Sequence, residues 1–416
     1  MVYLWAMRKI IQRTAYIAKL LAYKDHDLIK VITGFRRSGK STLFKLYQTR
    51  LLEEGVPETQ IVTLNFEAFE NRRFLDDLDG LYRHIIERID LSKPSYIFLD
   101  EIQNVHAFER LVDGLHVKDN VDVYITGSNA FLLSGELATL LSGRYIEISI
   151  LPFSFKEYLT AREVNPSDPY RNYESLFFDY VNETSLPKGI DLRDSGFDAV
   201  VEYLNAVYST VIEKDISHRH KIYDKTTFER VVKFLATTIG SPVSANNISK
   251  VLVHNGLNPH NTTVERYLEH LVSSFVFYKV HRFDLKGRRQ LATLEKYYLV
   301  DLGLLNILAG RNRVTDRGHL LENIVYLELL RRGNKVWTGT SRNSEVDFVC
   351  KNKFGEVEYY QVAWNLSTEE TVEREFGALA KIHDNYPKCV LTTDGFTQNR
   401  DGIVHSNVFQ WLLNDE

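Results

Sequence analysis

The feature that most constrains this 416-residue chain is the stretch Gly34-Phe35-Arg36-Arg37-Ser38-Gly39-Lys40-Ser41-Thr42. It stands between a β-branched run, Val31-Ile32-Thr33, and a helix-forming segment from Leu43 to Arg50, and it fits G-x-x-x-x-G-K-[ST] without a mismatch. Backbone N–H groups of a glycine-rich turn cradle phosphate oxygens when strand, loop and helix follow in that order. Gly34 and Gly39 admit backbone geometry and a close approach that a Cβ would block. Lys40 would reach the β- and γ-phosphates of ATP, and the Ser41 hydroxyl would coordinate Mg²⁺. Arg37, Ser38 and Thr42 complete the expected phosphate cradle, Thr42 through its backbone N–H.

A chance Gly-Lys-Ser at a strand-to-helix turn is the alternative, and a second motif argues against it. Tyr96-Ile97-Phe98-Leu99-Asp100-Glu101 is an apolar strand ending in two carboxylates. Asp100 would hold Mg²⁺, mostly through water, and Glu101 would polarise the attacking water, as in ATPases with a catalytic glutamate rather than kinases or small GTPases. Otherwise Glu101 is a solvated carboxylate capping a strand. Ile61 to Phe66 and Val121 to Thr126 read as further buried parallel strands, which predicts a doubly wound α/β sheet with its ligand at the strand C-termini. Beyond the last of them, Asn129 or Ser128 would sense the γ-phosphate, unless Gly127-Ser128-Asn129 only makes a turn. Arg144, at the entrance of the β-rich run from Tyr145 to Ile150, is either an arginine finger, in cis or from a neighbouring subunit, or one half of a surface ion pair.

Composition sets the outer bounds. With 44% hydrophobic and 25% charged residues the chain has material for two or three globular domains. Cys350 and Cys389 are too few for a disulfide framework or a zinc site, which fits a reducing cytoplasm. Met1 to Tyr23 is interrupted by Arg8, Lys9, Arg13 and Lys19, so it reads as an amphipathic leading helix rather than a signal peptide. No run approaches the roughly 20 apolar residues of a membrane span. A net charge of −4 excludes indiscriminate coating of nucleic acid but allows a local basic surface.

These residues resemble bacterial and archaeal AAA-type ATPases that carry a C-terminal domain of unknown function. The resemblance rests on the two motifs above, Ile125 to Asn129, Leu141 to Tyr145, Leu151-Pro152-Phe153-Ser154-Phe155-Lys156-Glu157-Tyr158, Lys296 to Leu304, and Gly318 to Leu330. It implies a P-loop ATPase domain (residues 1–160), a helical and winged-helix middle domain (161–310) and a restriction-nuclease-like domain (311–416).

The middle fits that order. Thr227 to Ile239, Asn247 to Asn255 and Val264 to Phe275 read as three helices, followed by a hairpin from Phe277 that turns at Lys286-Gly287 and returns to Leu299. Arg282, Lys286, Arg288 and Arg289 gather at its tip, and Arg266 with His270 lies on the third helix. This is a candidate phosphate-backbone surface for double-stranded DNA, although Glu265 and Glu269 weaken it and a protein-binding module is equally compatible.

In the C-terminal segment, Gly318 to Leu330 reads as a helix, with strands around Val336-Trp337, Glu345 to Val349 and Val357 to Val362. Glu322 and Asp347 stand where a metal-dependent nuclease keeps its carboxylates, but the last strand gives Gln361-Val362-Ala363 where Glu or Gln, any residue, then Lys is wanted. A degenerate nuclease fold with vestigial Glu322, Asp347 and Gln361 is therefore expected. The whole reading is an ATP- and Mg²⁺-dependent ATPase coupling nucleotide state to domain rearrangement on DNA or a protein, possible as an oligomer. The alternatives are an ATP-gated binding module with incidental turnover and an ATP-licensed nuclease.

Overall fold

Alternation of apolar β-branched runs with helices builds a five-stranded parallel sheet in the first part of the chain. The computed structural model describes residues 10–130, 141, 143–166, 168, 171–217, 222–285, 287, 289–310, 316–341 and 344–414, with backbone alone at 289–293 and 341. They fall into two compact units. The first runs to Ile150 and takes in Ser273–Phe275; the second comprises Leu151–Val272 and Val276–Glu416. No helix among the described residues is long and apolar enough to cross a membrane.

The first unit contains α1 (Thr14–Ala22), β1 (Ile29–Thr33), α2 (Lys40–Glu53), β2 (Ile61–Asn65), α3 (Leu78–Ile86), β3 (Ser95–Asp100), α4 (Phe108–His116), β4 (Val121–Gly127) and β5 (Tyr145–Ser149). The strand order is β2-β3-β4-β1-β5, every pair parallel. A parallel sheet needs cover on both faces, and alternate side chains supply it. Leu64, Ile97, Leu99, Val123 and Ile125 pack with Leu81, Ile85, Leu111 and Leu115 of α3 and α4. Phe98 and Tyr124 pack on the other face with Leu20 of α1 and Leu43 and Tyr47 of α2. The Asp77 side chain caps α3 by accepting from the Gly80 N–H.

The second unit opens with α5 (Phe155–Ala161), α6 (Tyr173–Asn182), α7 (Pro187–Leu192) and α8 (Phe197–Thr210). Ser154 and Glu157 form a reciprocal capping box at the start of α5. Next come α9 (Lys225–Thr237), α10 (Ala245–His254) and α11 (Asn261–Ser273), then the hairpin of β6 (Phe277–Asp284) and β7 (Arg289–Leu299). The remainder is α12 (Leu304–Leu308), α13 (Arg317–Arg331), β8 (Lys335–Ser341), β9 (Ser344–Lys351), β10 (Val357–Val362), α14 (Glu369–Ala380), β11 (Lys388–Thr392), β12 (Val404–Asn407) and α15 (Val408–Leu413).

The hairpin expected after the three helices is present, and it also joins a larger sheet. Its strand β6 also pairs in parallel with β8, through Arg282 with Thr338, Phe283 with Gly339 and Asp284 with Thr340. The hairpin thus forms one end of a seven-stranded mixed sheet, β12-β11-β10-β9-β8-β6-β7, which runs across residue 310. A strand edge filled by a neighbouring strand is unavailable to a DNA groove.

One buried ion pair ties together the N-terminal ends of the first sheet. Lys30 on β1 donates at 2.6 Å to Asp122 on β4, with a fully buried lysine side chain, and Asp122 also accepts from the Tyr124 hydroxyl and the Asp25 N–H. Burial pushes the Asp122 carboxyl up, against the pull of Lys30. Lys30→Met would leave that carboxylate without its countercharge, so a loss of about 3 kcal/mol is expected in urea denaturation. A loss below about 1 kcal/mol would contradict this role.

Candidate active site in the parallel sheet

The loop after β1 has the backbone its sequence requires. Gly34 has φ +143°, and a Cβ there would sit 2.2 Å from the Ile150 carbonyl. Gly39 (φ +103°) and Arg37 (φ +67°) are also left-handed, so the turn presents successive backbone amides to one side. The Arg37 side chain is exposed, as are Ser41 and Thr42 at the start of α2. Arg13 braces the loop from outside, its Nη1 donating at 3.2 Å to the Ser38 carbonyl. Lys40 folds back over the turn, donating to the carbonyls of Gly34 (3.0 Å) and Phe35 (3.2 Å).

The acidic pair lies across β4 from this loop, because β4 separates β1 from β3. Asp100 is buried and accepts from Asn65 Nδ2 (2.7 Å) and Thr126 Oγ1 (2.6 Å). Glu101 leaves the strand with φ +54°, its N–H donating to Thr126 Oγ1 at 2.9 Å. The Glu101 carboxylate accepts from Gln103 and, at 3.4 Å, from Ser128 Oγ, and stands 4.0 Å from Lys40 Nζ. Ser128 and Asn129 are both buried beside it at the end of β4. The structure therefore brings Gly34, Ser38, Gly39, Lys40, Asp100, Glu101 and Asn129 to the C-terminal edge of one sheet. Sequence reasoning missed Thr126 and Asn65 as positioning groups. Their signal was a polar residue closing an otherwise apolar strand.

Arg144 is not part of this cluster. Its carbonyl accepts from the Ile29 N–H, and Tyr145 is in register with Ile29 at the N-terminal end of β1. Strand β1 lies between that point and Gly34, some 15 Å at ~3.3 Å per residue. The side chain is half exposed and paired with Asp113 at 3.0 Å, so the finger in cis is corrected to the surface ion pair.

Of the basic surface expected in the middle, only part falls among the described residues. Arg266 is exposed on α11, flanked by exposed Glu265 and Glu269, while His270 is buried. Arg282 is spent within the sheet, Nη2 donating to Thr340 Oγ1 at 2.9 Å. Lys286 and Arg288 lie outside the described residues, as does the side chain of Arg289.

Glu322, Asp347 and Gln361, expected as vestigial nuclease residues, line one cleft. Gln361 Oε1 accepts from the Asp347 N–H at 3.2 Å, and Asp347 Oδ2 accepts from the Val362 N–H at 2.8 Å. Sequence reasoning missed the group between Asp347 and Glu322, the Lys296 ammonium from β7. Its signal was a lysine within the strand Lys296-Tyr297-Tyr298-Leu299. Burial alone would lower the Lys296 pKa, but the carboxylates of Glu322, Asp347 and Glu345 outweigh it and hold the ammonium above the usual lysine value. Asp347 is pushed well up by burial and by Glu322, with Lys296 opposing.

Comparison with known proteins agrees with this arrangement. Residues 26–159 match the AAA domain family, and residues 182–315 match a domain of unknown function, DUF8612. An uncharacterized protein of Haemophilus influenzae is 38% identical over 98% of this chain and 99% of its own length. The uncharacterized protein MJ1544 of Methanocaldococcus jannaschii is 29% identical over 95% of this chain and 86% of its own length. Among solved structures, the Walker-type ATPase paby2304 of Pyrococcus abyssi shares the fold, with a TM-score of 0.50 at 13% identity over 72% of this chain and 96% of that one. The chain belongs to the same family as the Haemophilus influenzae protein, and it carries an AAA domain folded as in P-loop ATPases.

Proposed function

We propose that this chain hydrolyses ATP with Mg²⁺, Glu101 acting as general base, and couples that cycle to a partner of its second unit. The observation that carries the reading is the placement of Glu101 by Thr126 and Ser128, 4.0 Å from Lys40. A nucleotide fits the loop on local grounds. The Ser38 hydroxyl is buried with no hydrogen-bond partner, and Gly34, which packs too close to Ile150 for any Cβ, holds the turn in the shape that presents its backbone amides. Lys40 would exchange two loop carbonyls for phosphate oxygens. Ser41 and Asp100 would hold Mg²⁺, which supplies charge neutralisation on the phosphates. Asn65 and Thr126 fix the Asp100 carboxylate in orientation. Glu101 takes the proton of the attacking water, and Ser128 and Asn129 line the same end of β4.

For the partner, the charge on α11 favours a protein over duplex DNA, because Glu265 and Glu269 flank Arg266 and oppose a phosphate backbone. Salt-sensitive DNA binding in a filter titration would reverse that choice. Arg144, at the far end of the sheet, remains available only to a neighbouring copy.

Three variants test the site. Glu101→Gln should lower steady-state phosphate release by about a hundredfold or more while nucleotide still binds; unchanged turnover would remove Glu101 as the base. Thr126→Val, which deletes the bonds to both acidic residues, should lower kcat about tenfold, the ~1.4 kcal/mol of a hydrogen bond. Arg144→Ala should leave turnover of the dilute, isolated chain within about twofold, the range expected of an exposed ion pair.

A further inference from the structure

The nuclease core expected of the C-terminal segment requires a divalent cation between a helix carboxylate and a strand carboxylate. Glu322 of α13 and Asp347 of β9 occupy those places, and the fit can be tested on what lies between them. Lys296 Nζ donates to Glu322 Oε1 at 2.8 Å, is ion-paired with Glu345 Oε1 at 2.7 Å, and stands 3.9 Å from Asp347 Oδ1. The lysine side chain is only 4% exposed. Other donors occupy the same carboxylates: the Tyr298 hydroxyl bonds Glu322, and the Val362 N–H bonds Asp347. Among the described residues, no group of three or more His, Cys, Asp or Glu side chains is arranged to hold a metal.

An ammonium carries a full positive charge, and here it gives one hydrogen bond to Glu322 and lies within ion-pair range of Glu345 and Asp347. A divalent cation in the same place would meet that charge at contact distance in a medium of low effective dielectric. The two cannot share the carboxylates. We propose that Lys296 is the built-in cation of this centre: its ammonium takes the position between Glu322, Glu345 and Asp347 that a divalent ion would otherwise fill. The cleft of about 640 Å³ that Glu322, Glu345 and Asp347 line together with His319, Gln361 and Arg374 is then a metal-free surface. The missing lysine at Ala363 is not the decisive defect, because a lysine is already present and is paired with the carboxylates themselves.

The proposal is independent of the ATPase reading and can be tested on nucleotide-free, full-length protein by thermal unfolding with and without Mn²⁺. The wild-type midpoint should not respond to Mn²⁺ in any way that Asp347→Asn abolishes. Lys296→Met should unfold at a lower temperature, and Mn²⁺ at about a hundredfold above its Kd should raise that midpoint by on the order of 5 °C. The response should vanish in Lys296→Met combined with Asp347→Asn. If Lys296→Met does not fold without metal, folding induced by Mn²⁺ is the same positive result, and Lys296→Gln provides a second, polar replacement. Two results would overturn the proposal: a wild-type stabilisation by Mn²⁺ that Asp347→Asn removes, or Lys296→Met and Lys296→Gln both indifferent to Mn²⁺.

Discussion

The nucleotide end of the first unit depends on one hydroxyl, Thr126 Oγ1, which accepts from the Glu101 N–H and donates to Asp100. This is possible because β4 is inserted between the strand that leads into the phosphate loop and the strand that carries the carboxylates. Its last residues reach across to both. Asn65, in register with Asp100 on β2, holds that carboxylate from the opposite side. Glu101 pays for leaving the strand in a left-handed conformation, of order 1–3 kcal/mol for a non-glycine residue, and the bond from its N–H to Thr126 offsets part of that. Geometry at the site is thus set by strand order before any side chain is chosen.

The second unit is governed by a different constraint, the sharing of one hydrogen-bond ladder by two modules. β7 makes this concrete. Glu295 bridges back to Val243 ahead of α10 and pairs with Lys279 and His281. The next residue, Lys296, faces the other way and enters the carboxylate centre under α13. Adjacent residues on a strand point to opposite faces, so one side chain of β7 pairs across the hairpin with β6 while the next enters the carboxylate centre. A shift of that strand by one residue would take the lysine out of the carboxylate centre and put Glu295 or Tyr297 in its place.

Much of this was legible in the sequence. The phosphate loop, the Asp100–Glu101 strand and the helices of the middle segment follow from local pattern, because their signals lie within a few turns of chain. What the sequence hid were relations between distant strands. Nothing local says that Arg144 starts β5 at the end of the sheet away from Gly34; that follows from the parallel pairing of Ile29 with Tyr145. Nor does the basic hairpin reveal that β8, more than 50 residues further on, occupies its edge through Arg282 and Thr338. The same holds for Lys296. A nuclease pattern is read along one strand at 361 and 363, whereas the lysine arrives from a strand before the helix that bears Glu322.

Burying a lysine among three carboxylates is costly in desolvation, and a well-packed apolar cluster would be at least as stable. Its persistence is intelligible if the carboxylates came with the fold and had to be neutralised. A divalent ion would neutralise them more completely, but it must be captured from solution at a loss of translational freedom and in proportion to its concentration. Lys296 is covalently supplied and its charge is secure, since the surrounding carboxylates hold it above the usual lysine range. The excess negative charge is relieved at Asp347, whose carboxyl is driven upward by burial and by Glu322. With Lys296 in that place the second unit would fold independently of metal supply.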